Sequence, residues 1–197
     1  MGFYDDPDGV DQYIRMCEDY DGTVIHEAFK RHLDPGNSIL ELGCGPGNDI
    51  EFLTRYYGVT GTDTSAEFLD RCRQRFPRNE FLQLDAITID TEQQFDCLFS
   101  NKVLHHLRLD ELVFSFKRQR QVITSGGLFA HTFWIGDYEE EKHGMYFRYH
   151  NRGELLDIIA EYFDVAEKID YGEFEEGDSL FVIARNGRST TETVVFD

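Results

Sequence analysis

The run Ile39-Leu-Glu-Leu-Gly43-Cys-Gly45-Pro-Gly47-Asn48 decides the fold of this chain. It begins in a short apolar segment, residues 38–42, that predicts a buried strand, and helical periodicity resumes at Asp49. Between them stand three alternating glycines, which let a ligand approach the backbone where a side chain would clash. The run therefore predicts a strand, a turn and a helix of an open α/β sheet, with a ligand site at the turn.

Strands and helices alternate outward from this run. The predicted helices cover residues 8–33 (as one or two helices), 49–57, 66–76, 109–124 and 151–162. The predicted strands cover residues 38–42, 59–62, 81–84, 95–99, 128–134, 165–169 and 179–185. Such alternation predicts an α/β fold with a mostly parallel sheet and helices on both faces, closed by an antiparallel pair.

Composition narrows the class of partner. The 197 residues suit one domain, and 38 acidic against 19 basic residues give a formal net charge of −19. A surface of this charge repels phosphate groups, so we expect neither nucleic acid nor an anionic membrane as a partner. The composition gives neither the reason for this acidity nor the oligomeric state.

The location is predicted from what the sequence lacks. No run of about 18 apolar residues occurs, and residues 1–8 lack the basic and apolar regions of a signal peptide. We therefore expect a cytoplasmic protein with reduced thiols. The cysteines show no paired ligand spacing, so no metal site is predicted; they are Cys17, Cys44, Cys72 and Cys97.

The glycine turn has two interpretations. A dinucleotide site requires G-x-G-x-x-G, but Asn48 stands where the third glycine should be. The turn instead resembles the E/D-x-G-x-G-x-G motif of class I S-adenosylmethionine-dependent methyltransferases, with Glu41 as the leading acid. Asp63 lies twenty residues after Gly43, which suits a ribose-binding acid in both families. The glycine pattern favours the methyltransferase interpretation.

The resemblance continues along the chain from residue 38 to about residue 185. The segment from Phe95 to Leu107, with its Leu-His-His sequence, is similar to the fourth motif of the small-molecule members of this family. The strand 128–134 follows a Gly-Gly turn, as the family's fifth strand does. Methyltransferases of nucleic-acid amino groups carry N/D-P-P-Y/F where this chain has Asn101-Lys-Val-Leu104, in agreement with the charge.

The resemblance implies a Rossmann-like, mostly parallel seven-stranded sheet with an antiparallel final strand. It implies three parts: residues 1–37 as a helical cap of the active site, 38–185 as the cofactor-binding core and 186–197 as a tail. The cofactor is S-adenosylmethionine, with S-adenosylhomocysteine as product. The cofactor-binding residues it implies are Glu41, Gly43, Cys44, Gly45, Gly47, Asp63, Thr64, Asp85, Ala86 and Asn101.

Particular roles follow for three of these residues. Glu41 helps to hold the amino-acid end of the cofactor, and Asp63 accepts hydrogen bonds from both ribose hydroxyls. Asp85 accepts from the adenine amino group, with the next backbone amide near the ring. From the residues alone, Asp63 is also a candidate cap of the following helix, and Asp85 is a candidate solvent-facing loop residue.

The expected reaction is methyl transfer to a small-molecule acceptor by in-line displacement, which depends mainly on positioning. His105 and His106 are the candidate catalytic bases, although a packing role is the alternative. We predict an acceptor pocket of Trp134, Tyr146 and His106 under a lid formed by residues 138–150, with a small satellite core as the alternative. Two other functions stay open: a nicotinamide-dependent oxidoreductase and a non-catalytic cofactor-binding domain.

Overall fold

The structure is a computed structural model that describes residues 4, 6–18, 20–142 and 144–187. Its helices are α1 (Pro7–Met16), α2 (Thr23–His32), α3 (Asn48–Leu53), α4 (Ala66–Arg75), α5 (Leu109–Val122) and α6 (Arg152–Ala160). Its strands are β1 (Ser38–Glu41), β2 (Gly58–Asp63), β3 (Glu80–Gln83), β4 (Phe95–Ser100), β5 (Ile123–Trp134), β6 (Tyr138–Lys142), β7 (Met145–Tyr149), β8 (Asp164–Tyr171) and β9 (Ser179–Arg185). Most of the predicted tail, residues 188–197, lies outside the described residues.

Seven strands form one sheet in the order β3-β2-β1-β4-β5-β9-β8. Neighbouring strands are parallel except at β9, which runs antiparallel to both β5 and β8. The predicted seven-stranded sheet with an antiparallel final strand is therefore confirmed. The strand order reverses between β1 and β4, and ligands of open α/β sheets bind in the crevice outside the carboxyl ends of strands at such a point.

Helices cover both faces of the sheet, as predicted. Alternate residues of β1 point to opposite faces: Leu40 packs in a core that includes Phe116 of α5 and Leu155 of α6. Ile39 packs in a second core that includes Phe29 of α2 and Leu69 of α4. The last three residues of β1 are buried between the two helical layers, and they hold the glycine turn that follows in a fixed place.

Strand β5 starts earlier than the sequence predicts. Phe95 of β4 pairs with Ile123, whereas Cys97 pairs with Leu128, so the intervening residues form an irregularity in the ladder. Gly126 within it has a φ of 80°, which an L residue rarely adopts. The predicted helix 109–124 accordingly ends at Val122, and the glycine pair lies inside the strand rather than before it.

The predicted lid segment, residues 138–150, contains a two-stranded hairpin of β6 and β7. Its base is fixed by the Ile135–His150 bridge, where the Gly136 amide donates to the His150 carbonyl at 3.0 Å. His143, which was included in the lid, lies outside the described residues. In the part of the chain that the structure describes, no helix has the length and apolar character needed to cross a membrane.

Candidate active site

The glycine turn leaves the carboxyl end of β1 with a positive φ at Gly43, Gly45 and Gly47 (64°, 48° and 81°). A Cβ atom on Gly43 would lie 2.5 Å from Val103, and one on Gly47 would lie 2.7 Å from the Phe76 ring. These two glycines are therefore required by packing as well as by conformation. At Gly45 the nearest atom would be in the Tyr13 ring, at 3.7 Å. Gly45 is therefore the glycine of the turn at which an added Cβ would meet an ordinary contact, with the Tyr13 ring, rather than a clash.

Asp63 ends β2 directly beside this turn. Its Oδ2 accepts from the Gly45 amide at 2.9 Å, and its Oδ1 accepts from the Ser65 amide at 2.9 Å. Ser65 is the N-cap of α4, because its hydroxyl accepts from the Phe68 amide. The Asp63 side chain is therefore not the N-cap of α4. Its carboxylate is held against the backbone of the glycine turn, which places a charged acceptor at the junction of β1 and β2.

Glu41 carries a buried carboxylate with an unsatisfied oxygen. Its side chain is 3% exposed, and Oε2 has no hydrogen-bond partner among the described residues. Burial raises the pKa of this carboxyl well above its usual range, and the charges of Asp49, Cys72 and Asp63 add to the effect. Because an unpaired buried carboxylate is costly, this position fits a cationic hydrogen-bond donor such as the ammonium of an amino acid.

Asn101, just after β4, is held by a polar network that sequence reasoning missed. Its Nδ2 donates to Asp49 at 3.0 Å and to the Tyr20 hydroxyl at 2.8 Å, and its Oδ1 accepts from Thr132 at 2.8 Å. Tyr20 and His26 each bond Asp49 Oδ1, at 2.6 and 2.9 Å. The predicted cap is thereby tied to the helix that follows the glycine turn. Only the proximity of Asp49 to the motif could have signalled this network.

Asp85 and Ala86 follow β3, which is paired in register with β2. The exposed Asp85 carboxylate accepts from the Ile87 amide at 2.6 Å, and the Ala86 carbonyl accepts from the Ser115 hydroxyl at 2.6 Å. Thr64 is exposed, and its carbonyl accepts from Gln83 at 2.8 Å. The carboxyl ends of β2 and β3 thus bring Asp63, Thr64 and Asp85 to the same edge of the sheet.

The Cys44 side chain points away from this edge. Its thiol is 5% exposed and bonds the thiol of Cys72, with burial further raising its pKa. Cys72 in turn donates to the Gly45 carbonyl at 3.2 Å. The two thiols therefore support the glycine turn from within the core.

His105 and His106 lie in a short 3₁₀ turn, residues 104–106, and contact each other through Nε2 at 3.2 Å. His106 Nδ1 lies 2.9 Å from the Tyr146 carbonyl and must donate to it. His106 Nε2 is then an acceptor, so His105 Nε2 donates to it and His105 Nδ1 carries a lone pair. That atom is buried without a partner in the described structure, and burial holds the pKa of His105 well below its usual range.

Aromatic rings from the hairpin and from β5 surround this pair. Trp134 stacks on His105 with ring centroids 4.1 Å apart, and Phe147 packs against His106 at 4.6 Å. Tyr149 stacks on Trp134 at 5.4 Å, and Tyr138 stacks on Tyr149 at 4.1 Å. The structure brings Trp134 and His106 into one packed cluster with Phe147, and their role in an acceptor pocket stays a prediction.

Tyr146 contributes to this cluster through its backbone. Its carbonyl orients His106, whereas its ring lies under the Arg108 guanidinium, 4.6 Å from the ring centroid. Its hydroxyl side faces Glu139 and Arg148, with burial the main cause of its raised pKa. The ring is therefore directed away from the two histidines, and the predicted role of Tyr146 as a pocket wall stays a prediction.

Two tyrosines of the N-terminal region join the two parts of the site. Tyr13 borders Gly45, and Tyr4 packs edge-on against both Tyr13 (5.2 Å) and His106 (6.2 Å). Burial, with a smaller contribution from the nearby Asp63 carboxylate, raises the pKa of Tyr4 to about 12. These half-buried rings thus lie between the glycine turn and the histidine pair. The sequence showed Tyr13 only as one position of an apolar helix face.

Comparison with known proteins points to one family. Residues 39–127 match a family model described as a methyltransferase domain. Trans-aconitate 2-methyltransferase of Methylobacterium nodulans is 40% identical over 105 residues, which are 50% of this chain and 41% of that protein. The Rhizobium etli enzyme of the same name is 35% identical over 123 residues, which are 61% and 44% of the two chains. The chain spans less than half the length of these relatives.

Solved structures share the fold over most of the chain. The 1,6-didemethyltoxoflavin-N1-methyltransferase of Burkholderia thailandensis, solved with S-adenosylhomocysteine, superposes with a TM-score of 0.76 at 21% identity, covering 90% of this chain and 83% of that one. An S-adenosylmethionine-dependent methyltransferase of Clostridium acetobutylicum gives 0.75 at 13% identity, covering 90% and 98%. At these identities the likeness shows the fold. The comparisons do not favour the nicotinamide alternative.

Proposed function

We propose that this chain, a member of the class I S-adenosylmethionine-dependent methyltransferase family, transfers a methyl group to a small-molecule acceptor by in-line displacement. The observation that carries the proposal is the edge formed by the glycine turn, Glu41 and Asp63. There, a Cβ at Gly45 would clash with no neighbour, Oε2 of a buried carboxylate lacks a donor among the described residues, and a second carboxylate stands at the end of β2.

The residues at this edge fit S-adenosylmethionine group by group. Glu41 suits the ammonium of the amino-acid end, because its Oε2 has no donor among the described residues. Asp63 suits the ribose hydroxyls, since a charged acceptor strengthens such bonds. Asp85, with the Ala86 amide, suits the adenine amino group and ring. Gly45 lets the cofactor approach the backbone, with Gly43, Cys44 and Gly47 shaping the turn and Thr64 and Asn101 flanking it.

S-adenosylmethionine, when bound, supplies a methyl group on a sulfonium that is already electrophilic. The chain's own contribution is to hold the acceptor in line and to exclude water. Trp134 and Phe147 supply apolar walls next to the histidine pair. Where an acceptor must shed a proton, His105 Nδ1 is the nitrogen of the pair with an unengaged lone pair among the described residues; its lowered pKa leaves it unprotonated at neutral pH and also makes it a weak base, suited to an acceptor that is itself acidic.

The N-terminal helices act as a cap in this proposal, and the hairpin of β6 and β7 acts as a lid. Tyr13 and Tyr4 already lie over the glycine turn and beside His106. The network of Tyr20 and His26 with Asp49 anchors the cap to the core. Closure of both segments would sequester the acceptor from solvent. The remainder of the described chain, from β1 to β9, serves as the cofactor-binding core.

The acceptor is neutral or cationic in this proposal. Lys102 is paired with Glu173 at 3.0 Å, and burial lowers the pKa of its ammonium to about 8. Arg148 is paired with Glu139 at 2.5 Å, and Arg108 lies 4.0 Å from Glu141. The described cations beside the histidine pair are therefore already matched by carboxylates. The overall charge of −19 further disfavours an anionic acceptor, a nucleic acid or an anionic membrane.

Methyl-labelled S-adenosylmethionine tests this proposal directly. The protein is incubated with a small-molecule extract separated into anionic and non-anionic fractions, and with trans-aconitate, the compound in the relatives' name. We expect label in the non-anionic fraction with the wild type and none with Gly45→Val. Methylated trans-aconitate would contradict the acceptor class while supporting methyl transfer. Absence of label in every fraction, together with absence of cofactor binding, would contradict the function itself.

A further inference from the structure

A chain of buried hydrogen bonds crosses the core between α5 and the sheet. Ser100 Oγ lies 2.7 Å from His131 Nδ1, and His131 Nε2 lies 2.9 Å from Gln119 Oε1. Gln119 Nε2 donates to Ser115 Oγ at 3.1 Å, and Ser115 Oγ donates to the Ala86 carbonyl at 2.6 Å. All four side chains belong to residues with 0% exposure. The chain therefore joins the end of β4 to the segment that follows β3.

The chemistry of the groups gives every bond one direction. The Ala86 carbonyl can only accept, so the Ser115 hydroxyl donates to it and accepts from the Gln119 amide. The Gln119 carbonyl oxygen then accepts from His131 Nε2–H, and His131 Nδ1 accepts from the Ser100 hydroxyl. Burial lowers the pKa of His131 to about 3, which keeps this neutral tautomer in place at ordinary pH. Each bond in this series of hydrogen bonds therefore has one possible donor.

The direction explains why Ser115 reaches out of its helix. A helical serine commonly donates to the carbonyl four residues earlier in its own helix. Gln119 lies one turn later on the same face and places its amide against the Ser115 oxygen. With that lone pair occupied, the hydroxyl proton is directed to Ala86. Helix α5 thus holds the Ala86 carbonyl, in the loop after β3, through the buried side chains of Ser115 and Gln119.

The loop that carries Ala86 is held by hydrogen bonds of its own, from the Ile89 amide to the Asp85 carbonyl at 2.9 Å and from the Ile87 amide to the Asp85 carboxylate at 2.6 Å. Residues 84–94 contain no helix or strand, and Ile89 within them has a φ of 42°. Its far end is tied by Arg118, whose Nε donates to the Thr88 and Ile89 carbonyls at 3.2 and 3.1 Å. Ala86 is only half-buried, so without Ser115 its carbonyl is free to turn to water, and the Ile87 amide of the same peptide unit, which donates to the Asp85 carboxylate, would turn with it.

We propose that Ser115, Gln119 and His131 are positioning residues that set the cofactor's base preference by holding the Ala86 carbonyl. The inference rests on the proposed function, in which Asp85 and the Ala86 amide face adenine. With the carbonyl fixed, the amide of Ala86 and the carboxylate of Asp85 present one pattern of acceptor and donor to the base. If the Ala86 carbonyl is no longer held, the positions of this acceptor and donor vary, whereas the ribose and amino-acid subsites keep their geometry.

The test compares two ligands by calorimetry: S-adenosylhomocysteine and S-inosylhomocysteine, in which a carbonyl replaces the adenine amino group. We expect the wild type to prefer the adenine compound. Ser115→Ala should reduce the ratio of the two dissociation constants by about fivefold, the size expected for one displaced hydrogen bond. Gln119→Met, which removes two links and leaves the Ser115 hydroxyl undirected, should reduce it in the same direction and serves if Ser115→Ala does not fold.

Ser100→Ala is the matched control, since it deletes a buried hydroxyl at the far end of the same chain. We expect it to lower the melting temperature comparably while leaving the ratio unchanged. An equal loss of affinity for both ligands in the Ser115 and Gln119 variants would show a merely structural role and overturn the inference. A wild type that binds neither ligand would instead contradict the proposed function, so the two failures are distinguishable.

Discussion

The carboxyl ends of β1 and β2 and the hairpin of β6 and β7 contribute to the candidate site in different ways. At the strand ends, the backbone forms the surface: three glycines have a positive φ, and Asp63 is held by the Gly45 amide. At the hairpin, aromatic side chains from distant segments form the surface, with Phe147 packed against His106 and Trp134 stacked on His105.

The two surfaces should therefore differ in how freely each can change without affecting the other. A surface of backbone atoms tolerates few substitutions, because an added Cβ enters either packed neighbours or ligand space. A surface of stacked side chains can be rebuilt one ring at a time while the sheet stays intact. We therefore expect cofactor binding to depend on the strand ends and acceptor choice to depend on the hairpin.

The largest expected effect is that of Gly45→Val on cofactor binding. A branched side chain there would extend toward the Tyr13 ring, 3.7 Å from a Cβ, and would occupy the space proposed for the cofactor. We expect calorimetry to detect no binding of S-adenosylhomocysteine. Gly36→Val is the control, since Gly36 also has a positive φ, 90°, and lies away from the site with no atom within 4 Å of a Cβ. Equal affinity in a folded Gly45 variant would show that the turn does not face the ligand.

A smaller loss is expected for Asp63→Ala, which removes one charged hydrogen-bonding partner. We expect it to weaken S-adenosylhomocysteine binding by roughly 1.5–3 kcal/mol, with little change in secondary structure. Asp96→Ala is the control: Asp96 also accepts from a backbone amide and a hydroxyl, both of Ser38, but at the opposite end of the sheet. Similar affinities for the two variants would assign Asp63 a purely structural part.

Removal of the Phe147 ring should disturb the hairpin side of the site and leave cofactor binding at the strand ends intact. We expect Phe147→Ala to keep the affinity for S-adenosylhomocysteine within about twofold of wild type, because the described ring contacts of Phe147, with His105, His106 and Trp134, lie on the hairpin side. Trp134 is the one tryptophan in the chain, so its emission should shift to longer wavelength as packing around it loosens. Phe114→Ala, at an exposed position of α5, should change neither signal. Loss of cofactor binding in the Phe147 variant would show that the hairpin and the strand ends do not act independently.

The smallest expected effects are opposite responses to acid. Burial lowers the pKa of His150, beside the hairpin, to about 4, so the unfolded chain binds its proton more readily than the folded one. Above about pH 6.5 His150 is neutral in both states and its titration costs no stability. As pH falls toward 4, the free energy of unfolding declines by at most about 1.4 kcal/mol per pH unit, because the unfolded chain takes up this proton first. Urea unfolding between pH 7.5 and 5.5 should show a shallower loss of stability for His150→Phe than for wild type.

Glu41, at the strand ends, responds with the opposite sign. Its raised pKa means that the folded chain binds the proton more readily, so acidification through that pKa stabilises the fold. Glu41→Gln removes this gain and should make the loss of stability toward acid steeper in the same urea series. A shallower curve for this variant would mean that the Glu41 carboxylate is stabilised in the folded state.

The sequence predicted the strand ends because their information is contiguous or regularly spaced. Residues 39–48 carry strand, turn and helix start together, and Asp63 follows at a fixed interval. The hairpin was missed since β6 is exposed along its whole length, so Glu139–Glu141 showed no apolar alternation. The chain through His131 was equally hidden, because its members lie on two strands and a helix and meet only in the folded core.

The most direct test of the central claim is a calorimetric titration of the wild-type protein with S-adenosylhomocysteine and, in parallel, with oxidised nicotinamide adenine dinucleotide. If Glu41, Gly45 and Asp63 form a methyltransferase cofactor site, S-adenosylhomocysteine binds one to one and the dinucleotide does not. Binding of the dinucleotide without binding of S-adenosylhomocysteine would contradict the account and favour an oxidoreductase.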